Sequence, residues 1–144
     1  MAEVSVRNVR LSYGKIQALK DVSLEVEEGS LFGIIGPDGA GKTSLFRIMT
    51  TLIVPDSGSA HVCGYDTVKD MTEIRRLVGY MPGHFSLYQD LTVEENLSLF
   101  ASVFNTTVQE NYSLVEDIYR QIEPFRKRRA GKLSGGMKQK LDLC

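Results

Sequence analysis

Apolar and polar residues change places along this chain in two rhythms. Val4, Val6, Val9 and Leu11 recur at close to a two-residue step, which predicts a first strand ending near Ser12-Tyr13-Gly14. Leu19, Val22, Leu24 and Val26 predict a second, closed by Glu27-Glu28-Gly29. The unbroken run Leu31-Phe32-Gly33-Ile34-Ile35 reads as a buried strand, and Leu45, Phe46, Ile48, Met49 and Leu52 then recur at helical spacing. Pro55-Asp56-Ser57-Gly58 is a turn by its chemistry; Ser59 to Cys63 predicts a short strand and Met71 to Leu77 a helix. Val78-Gly79-Tyr80-Met81 predicts a short strand halted by Pro82-Gly83. Thr92-Val93-Glu94-Glu95 fits a capping box, and Leu97, Leu99, Phe100 and Val103 carry that helix forward. Leu114, Val115, Ile118, Tyr119 and Ile122 form another helical stripe, ended by Pro124. Residues 84–130 thus read as all-helical and those before as mixed: a helical insert in an α/β core, with no internal repeat.

The chain has 144 residues, enough for one domain with a real core. Its 17 basic and 18 acidic residues leave a formal charge of -1, which gives no argument for nucleic acid or an acidic surface as partner. Cys63 and Cys144 lie far apart with no pairing or metal spacing, which fits a reduced cytosolic setting. No apolar run approaches the roughly 20 residues of a membrane span, so a membrane role would come through a partner. Asn96-Leu97-Ser98, Asn105-Thr106-Thr107 and Asn111-Tyr112-Ser113 match the glycosylation pattern by chance. Arg126-Lys127-Arg128-Arg129 is the one dense charge run; it reads as a solvated linker or as a contact for an acidic loop.

The chemistry begins at Gly36-Pro37-Asp38-Gly39-Ala40-Gly41-Lys42-Thr43, a glycine, four residues and then Gly-Lys-Thr, between a predicted strand and a predicted helix. Gly36, Gly39 and Gly41 bring no side chains, so backbone N–H groups can converge on phosphate oxygens. The following helix aims its unpaired N–H groups and positive end at the same anion. Lys42 would reach the outer phosphates, and the Thr43 hydroxyl would sit on a magnesium ion bridging them. The competing reading is a glycine-rich turn that happens to fit this spacing.

Leu133-Ser134-Gly135-Gly136-Met137-Lys138-Gln139-Lys140-Leu141 narrows the field. Ser134 suits a helix N-cap, and the two glycines leave the neighbouring N–H groups uncovered, which makes a second anion site. Two phosphate sites far apart in one chain suggest head-to-tail pairing of two copies. With Gly36 to Thr43 upstream, the chain resembles the ATP-binding subunit of ABC transporters over essentially its whole length.

That resemblance implies an α/β phosphate-loop NTPase with an N-terminal β subdomain, a partial α/β core and an α-helical subdomain. It implies a β subdomain and phosphate-loop core over 1–83, a helical subdomain over 84–132, and the start of the signature helix over 133–144. It implies ATP and Mg2+ as cofactors. ATP would be bound by Tyr13, Gly36, Pro37, Asp38, Gly39, Ala40, Gly41, Lys42, Thr43 and Ser44, with Thr43 on the metal. Ser134, Gly135 and Gly136 would face ATP held by the other protomer. Tyr13 precedes Gly14 as the family's adenine-stacking aromatic does, with core packing as the alternative. The implied partners are a second ATPase domain, in a homo- or heterodimer, and a transmembrane transporter subunit. The implied place is the cytoplasm, against the inner face of the membrane. Leu91-Thr92-Val93-Glu94-Glu95-Asn96-Leu97 resembles the segment that opens the helical subdomain, which makes residues 83–90 candidates for the coupling surface.

Two departures stand out. Where the family usually places a metal-reaching Gln, this chain has Gly83; His84 and Gln89 are nearby, but Gln89 lies six residues further on and His84 reads as an exposed loop residue. The family pattern also continues past the signature helix with an apolar strand ending in Asp, then a Glu and later a His, none of which follows here. The expectation is therefore a chain truncated after the signature motif, with the C-terminal part of the core missing and the edge of Leu31 to Ile35 open. It would bind ATP, carry no catalytic residue of its own and hydrolyse ATP negligibly, although the complete protein would power transport. Two other functions stay open: a non-catalytic nucleotide-binding or interaction module, and a soluble ABC ATPase acting in translation or DNA repair.

Overall fold

The computed structural model describes residues 2–144. The chain divides into two compact units, the first running to Tyr80 and the second from Met81 to Cys144.

The first unit is built on a four-stranded antiparallel sheet of order β2-β1-β3-β4, with β1 Ala2–Tyr13, β2 Ile16–Glu27, β3 Ser57–Val62 and β4 Tyr65–Asp66. The three-residue step from Val6 to Val9 would send one of them to the wrong face of a regular strand. Both are buried because the register shifts between them, with Asn8 at φ 48°. On β2, Asp21 at φ 53° makes the matching irregularity between Leu19 and Val22. The irregularity at Asp21 is tied to β1 by the bidentate Arg10–Asp21 pair, which holds the Asp21 carboxyl below its usual range. Gly58, at φ 86°, belongs to β3 rather than to the preceding turn; a Cβ there would lie 2.4 Å from the Asn8 carbonyl oxygen.

Helix α1, Lys42–Met49, packs Leu45 and Ile48 against Val6, Val9, Leu11, Leu19 and Ala60. Its C-terminal end turns at Thr51, whose buried backbone has φ 61°. Helix α2, Met71–Leu77, braces that turn: Arg75 donates to the Thr51 hydroxyl at 2.8 Å and to its carbonyl at 2.9 Å.

Two predicted strands do not form. Residues 31–35 and 78–81 are irregular, and Ile35 is 98% exposed. A strand exists only when its backbone groups find a neighbouring ladder. Among the described residues no strand pairs with either run. Only Ile34 of the first packs against the core.

The second unit is helical: α3 Val93–Val103, α4 Tyr112–Tyr119 and α5 Gly135–Leu143, with single 3₁₀ turns at Glu123–Phe125 and Ala130–Lys132. Its core joins Val93, Tyr119, Ile122, Ala130, Leu133 and Leu141. The second predicted stripe breaks after Tyr119, and Pro124 opens the 3₁₀ turn that follows. The basic run closes the start of α3 with its backbone: the Val93 and Glu94 amides donate to the carbonyls of Arg128 and Arg126. Its side chains are taken up locally, Arg126 by Glu94 at 3.6 Å and Arg128 over the Phe125 ring at 4.7 Å.

The capping box at α3 is complete. The Thr92 hydroxyl accepts from the Glu95 amide at 3.2 Å, and the Glu95 carboxylate accepts from the Thr92 amide at 2.7 Å and hydroxyl at 2.8 Å. Those two donations hold the Glu95 carboxyl below its ordinary value of 4.5. A depressed carboxylate stabilises the fold above its unfolded pKa, and the benefit fades as pH falls through the folded value. Thr92→Ala should cost about 1 kcal/mol in denaturant unfolding at neutral pH. The difference between the parent and Glu95→Ala should be full at pH 7 and should shrink as the buffer is taken below pH 4.5.

Candidate functional site

The sharp turn into α1 is made by Gly41, at φ 86° and ψ 4°. A Cβ on Gly41 would stand 2.5 Å from the Ala18 carbonyl oxygen and 2.7 Å from Leu19 Cδ2. The loop therefore rests directly on β2, and only glycine fits both the backbone angle and the space. Gly39 also has φ 81°, but nothing lies within 4 Å of the place its Cβ would take.

Helix α1 has no side-chain cap and no acidic residue in its first turn. The Ala40 amide donates to the Pro37 carbonyl, and Leu45 makes the first helical bond to Gly41. Among the described residues, the amides of Gly39, Gly41, Lys42, Thr43 and Ser44 have no protein acceptor. Five donors at the positive end of a helix form an anion cradle. Lys42 adds a full charge: its Nζ donates to the carbonyls of Gly36 and Pro37 at 2.6 and 2.7 Å, across the loop. Gly36 to Ala40 are exposed, so the cradle opens to solvent.

The Thr43 side chain is exposed, and among the described residues its hydroxyl has no hydrogen-bond partner. No group of three or more His, Cys, Asp or Glu among them is placed to hold a metal. A hard cation at this loop would thus take Thr43 and the oxygens of its own phosphate ligand, a donor set that suits Mg2+. Tyr13 ends β1 beside the cradle, 47% exposed, with its hydroxyl 3.3 Å from Ser44 Oγ. The fold therefore gathers Tyr13, Gly36 to Ser44 and the Ala18 backbone in one place.

Ser134, Gly135 and Gly136 lie in the second unit. Ser134 caps α5, its Oγ accepting from the Met137 amide at 3.4 Å. Neither glycine has a positive φ, and nothing lies within 4 Å of a Cβ built on either, so the space over this helix end is open. A cavity of about 840 Å³ in the same unit is lined by Glu94, Leu97, Tyr112, Tyr119 and Arg126, and takes in no residue of either glycine motif.

Gly83 is exposed with open space around it. His84 is exposed too. Burial pushes the Asp142 carboxyl up, against the pull of the Ser86 amide and of His84. Gln89 is held by its backbone, accepting from the Gly131 amide at 2.8 Å.

Sequence reasoning missed Asn96. It is fully buried, yet each polar atom of its side chain is bonded: Oδ1 accepts from the Tyr88 amide at 3.0 Å, and Nδ2 donates to the carbonyls of Tyr88 and Thr92, each at 2.9 Å. The signal was an amide on the apolar stripe Val93, Leu97, Phe100, where an unpaired one would be costly.

The ABC transporter family model matches residues 19–144. The chain belongs to the ABC transporter family. It is 44% identical over 129 residues to the probable multidrug ABC transporter ATP-binding protein YbhF of Escherichia coli, covering 88% of this chain and 22% of that protein. It is 37% identical over 145 residues to the doxorubicin resistance ATP-binding protein DrrA of Mycobacterium tuberculosis, covering 98% of this chain and 44% of that one. A solved ATP-binding subunit of an ABC transporter superposes with a TM-score of 0.82 at 28% identity, covering 97% of this chain and 59% of that one. A dimeric ATP-binding cassette in a post-hydrolysis state, bound to ADP and Pi, gives 0.80 at 28% identity, covering 97% and 67%. The chain thus spans only part of these relatives, and the α/β fold is that of ABC ATPase cassettes.

The contrast between the two left-handed glycines is testable. Gly39→Ala should cost only the left-handed backbone penalty, about 1–2 kcal/mol in urea unfolding. Gly41→Ala should cost clearly more, because its Cβ would also displace β2 at Ala18. Equal unfolding midpoints for the two variants would refute the close-approach account.

Proposed function

We propose that this chain is the ATP-binding part of an ABC transporter motor. The observation that carries this reading is the cradle of five free amides from Gly39 to Ser44, crossed by the Lys42 ammonium. It is a site for a polyphosphate rather than a single anion, because the charge and the amides are spread along the loop. Gly36, Pro37, Asp38, Gly39, Ala40 and Gly41 shape the cradle, and Lys42 moves its bonds from the loop carbonyls to the outer phosphates. Thr43 and Ser44 take the metal side of the nucleotide, and the open face of Tyr13 takes the adenine. Bound Mg2+ would neutralise charge on the outer phosphates.

Ser134, Gly135 and Gly136 offer a second, shallower anion end on α5. Facing the ATP of another protomer, they would make the nucleotide the glue of a head-to-tail dimer, homo- or heteromeric. Among the described residues no helix is long and apolar enough to cross a membrane. The transport function is therefore assigned to a transmembrane partner, with this chain on its cytoplasmic face and the loop from Gly83 to Asp90 against it. The relatives named for multidrug and doxorubicin handling support transport; they do not choose this protein's cargo.

Where the family places a metal-reaching Gln this chain has Gly83, which has no side chain to hold a metal or a water molecule. The chain by itself is therefore a binder with slow turnover, while hydrolysis belongs to the working transporter. Equilibrium binding of a fluorescent ATP analogue with Mg2+ tests the reading. Lys42→Ala removes charge-assisted bonds to phosphate and should weaken binding about tenfold or more. Unchanged affinity in that variant would mean the nucleotide is not held at this loop.

A further inference from the structure

The cavity of about 840 Å³ in the second unit is walled largely by α4 and its flanks. Tyr112 and Tyr119 stand seven residues apart on that helix, which puts both on one face. Their rings meet edge to face with centres 5.9 Å apart. Leu97 of α3 and Val108 add apolar lining. The loop that carries Val108 is pinned, because the Glu110 carboxylate accepts from the Thr106 hydroxyl and the Thr107 amide, each at 2.9 Å.

The charge of this lining is negative. Glu94, Glu95 and Glu123 stand against one guanidinium, that of Arg126. Two of the carboxylates are engaged, Glu95 in the capping box and Glu94 with Arg126 at 3.6 Å. Glu123, half-buried in the 3₁₀ turn after α4, has no ion pair or side-chain hydrogen bond among the described residues. Tyr119 is 7% exposed, and among the described residues its hydroxyl has no hydrogen-bond partner either. A phenol buried so far normally finds one. The Tyr119 oxygen is not sealed in as those of Thr67 and Asp142 are, so the space before it is the cavity that it lines. Burial, with Glu123 adding to it, pushes the phenol up, and the group stays a neutral hydroxyl.

We infer that this cavity is a binding site for an amphipathic organic amine in its ammonium form, with Glu123 as counter-ion, the Tyr112 and Tyr119 rings as walls and the Tyr119 hydroxyl accepting from the ammonium N–H. Its volume falls within the roughly 300–1,000 Å³ of small-molecule sites. An ammonium gains from a carboxylate and from an aromatic face together. A neutral molecule would cover Glu123 without pairing it, and an anion would meet three carboxylates. A lysine-rich protein segment would need a row of free carboxylates, and only Glu123 is free among those lining the cavity. The cavity takes in no residue of either glycine motif, so the inference stands apart from the reading of the nucleotide site.

Titration of 1-naphthylmethylamine into the 144-residue chain, followed through amide chemical shifts, tests the site. The amides of Ser98, Val108, Gln109 and Glu123 should shift and saturate with a Kd of about 1 mM or below. The neutral isostere 1-naphthylmethanol should bind about tenfold more weakly, and 1-naphthylacetate should not saturate. Glu123→Gln should weaken the amine about tenfold and leave the alcohol unchanged. Tyr119→Phe keeps the wall and should weaken the amine about fivefold. Neither group removed has a partner elsewhere among the described residues, so the fold does not depend on it. An alcohol that binds as tightly as the amine, an amine affinity unmoved by Glu123→Gln, or shifts that lie away from the cavity overturn the inference. So does binding of a lysine-rich peptide where the amine gives none, which would make this face a protein contact. A chain that takes the amine but no ATP analogue would defeat the proposed function and leave the amine site standing.

Discussion

The close approach of Gly41 to β2 is the constraint from which the rest of the first unit follows. It seats the loop on the Ala18 carbonyl and turns the chain sharply enough to start α1 at Lys42 with its amides bare. Leu45 and Ile48 then reach the sheet core, and Thr51 and Arg75 secure the other end of the helix. The same contact that excludes a side chain thereby aims a helix end and a lysine at one point in space. Binding groups that are already in place spare the ordering cost that a flexible loop would incur on meeting its ligand.

The second unit solves a different problem. Its helices are short, and isolated helices of 8–11 residues are marginal in water. Their stability comes from joining ends to loops. The capping box covers the start of α3, carbonyls of the basic run accept two more of its amides, and Asn96 bonds the backbone of Tyr88 and Thr92 through both its amide oxygen and its amide nitrogen. The basic run shows why composition alone misleads. Four consecutive cations read as a solvated linker or a contact for an acidic loop, but two of its carbonyls and two of its side chains are already used inside the unit.

What was legible in the sequence was whatever depends on neighbours along the chain. The loop from Gly36 to Thr43, the cap at Ser134, the box at Thr92 and the limits of α2 are all local, and the structure has each of them. The apolar runs at 31–35 and 78–81 were misread because a strand is a property of pairs, and apolar sequence does not supply a partner. The bulges at Asn8 and Asp21 were visible only as uneven steps among the valines. Asn96 was hidden because its partners, Tyr88 and Thr92, are backbone groups that any sequence possesses. For the site itself, the glycines and Lys42 were evident, while the surface on which Gly41 rests was not: Ala18 contributes only a carbonyl.

The twin bulges carry a consequence for how copies of this chain meet. Strand β2 lies at the rim of the sheet, where an intact row of amides and carbonyls would be a template for a stranger's strand. Asp21, in a left-handed kink beside Lys20, interrupts that row halfway, while Ser23 accepts from the Asn8 amide of β1 and Glu25 pairs with Arg7 of the same strand. An intruding segment would find its ladder broken at Asp21. The rim is thereby kept from zipping up indiscriminately.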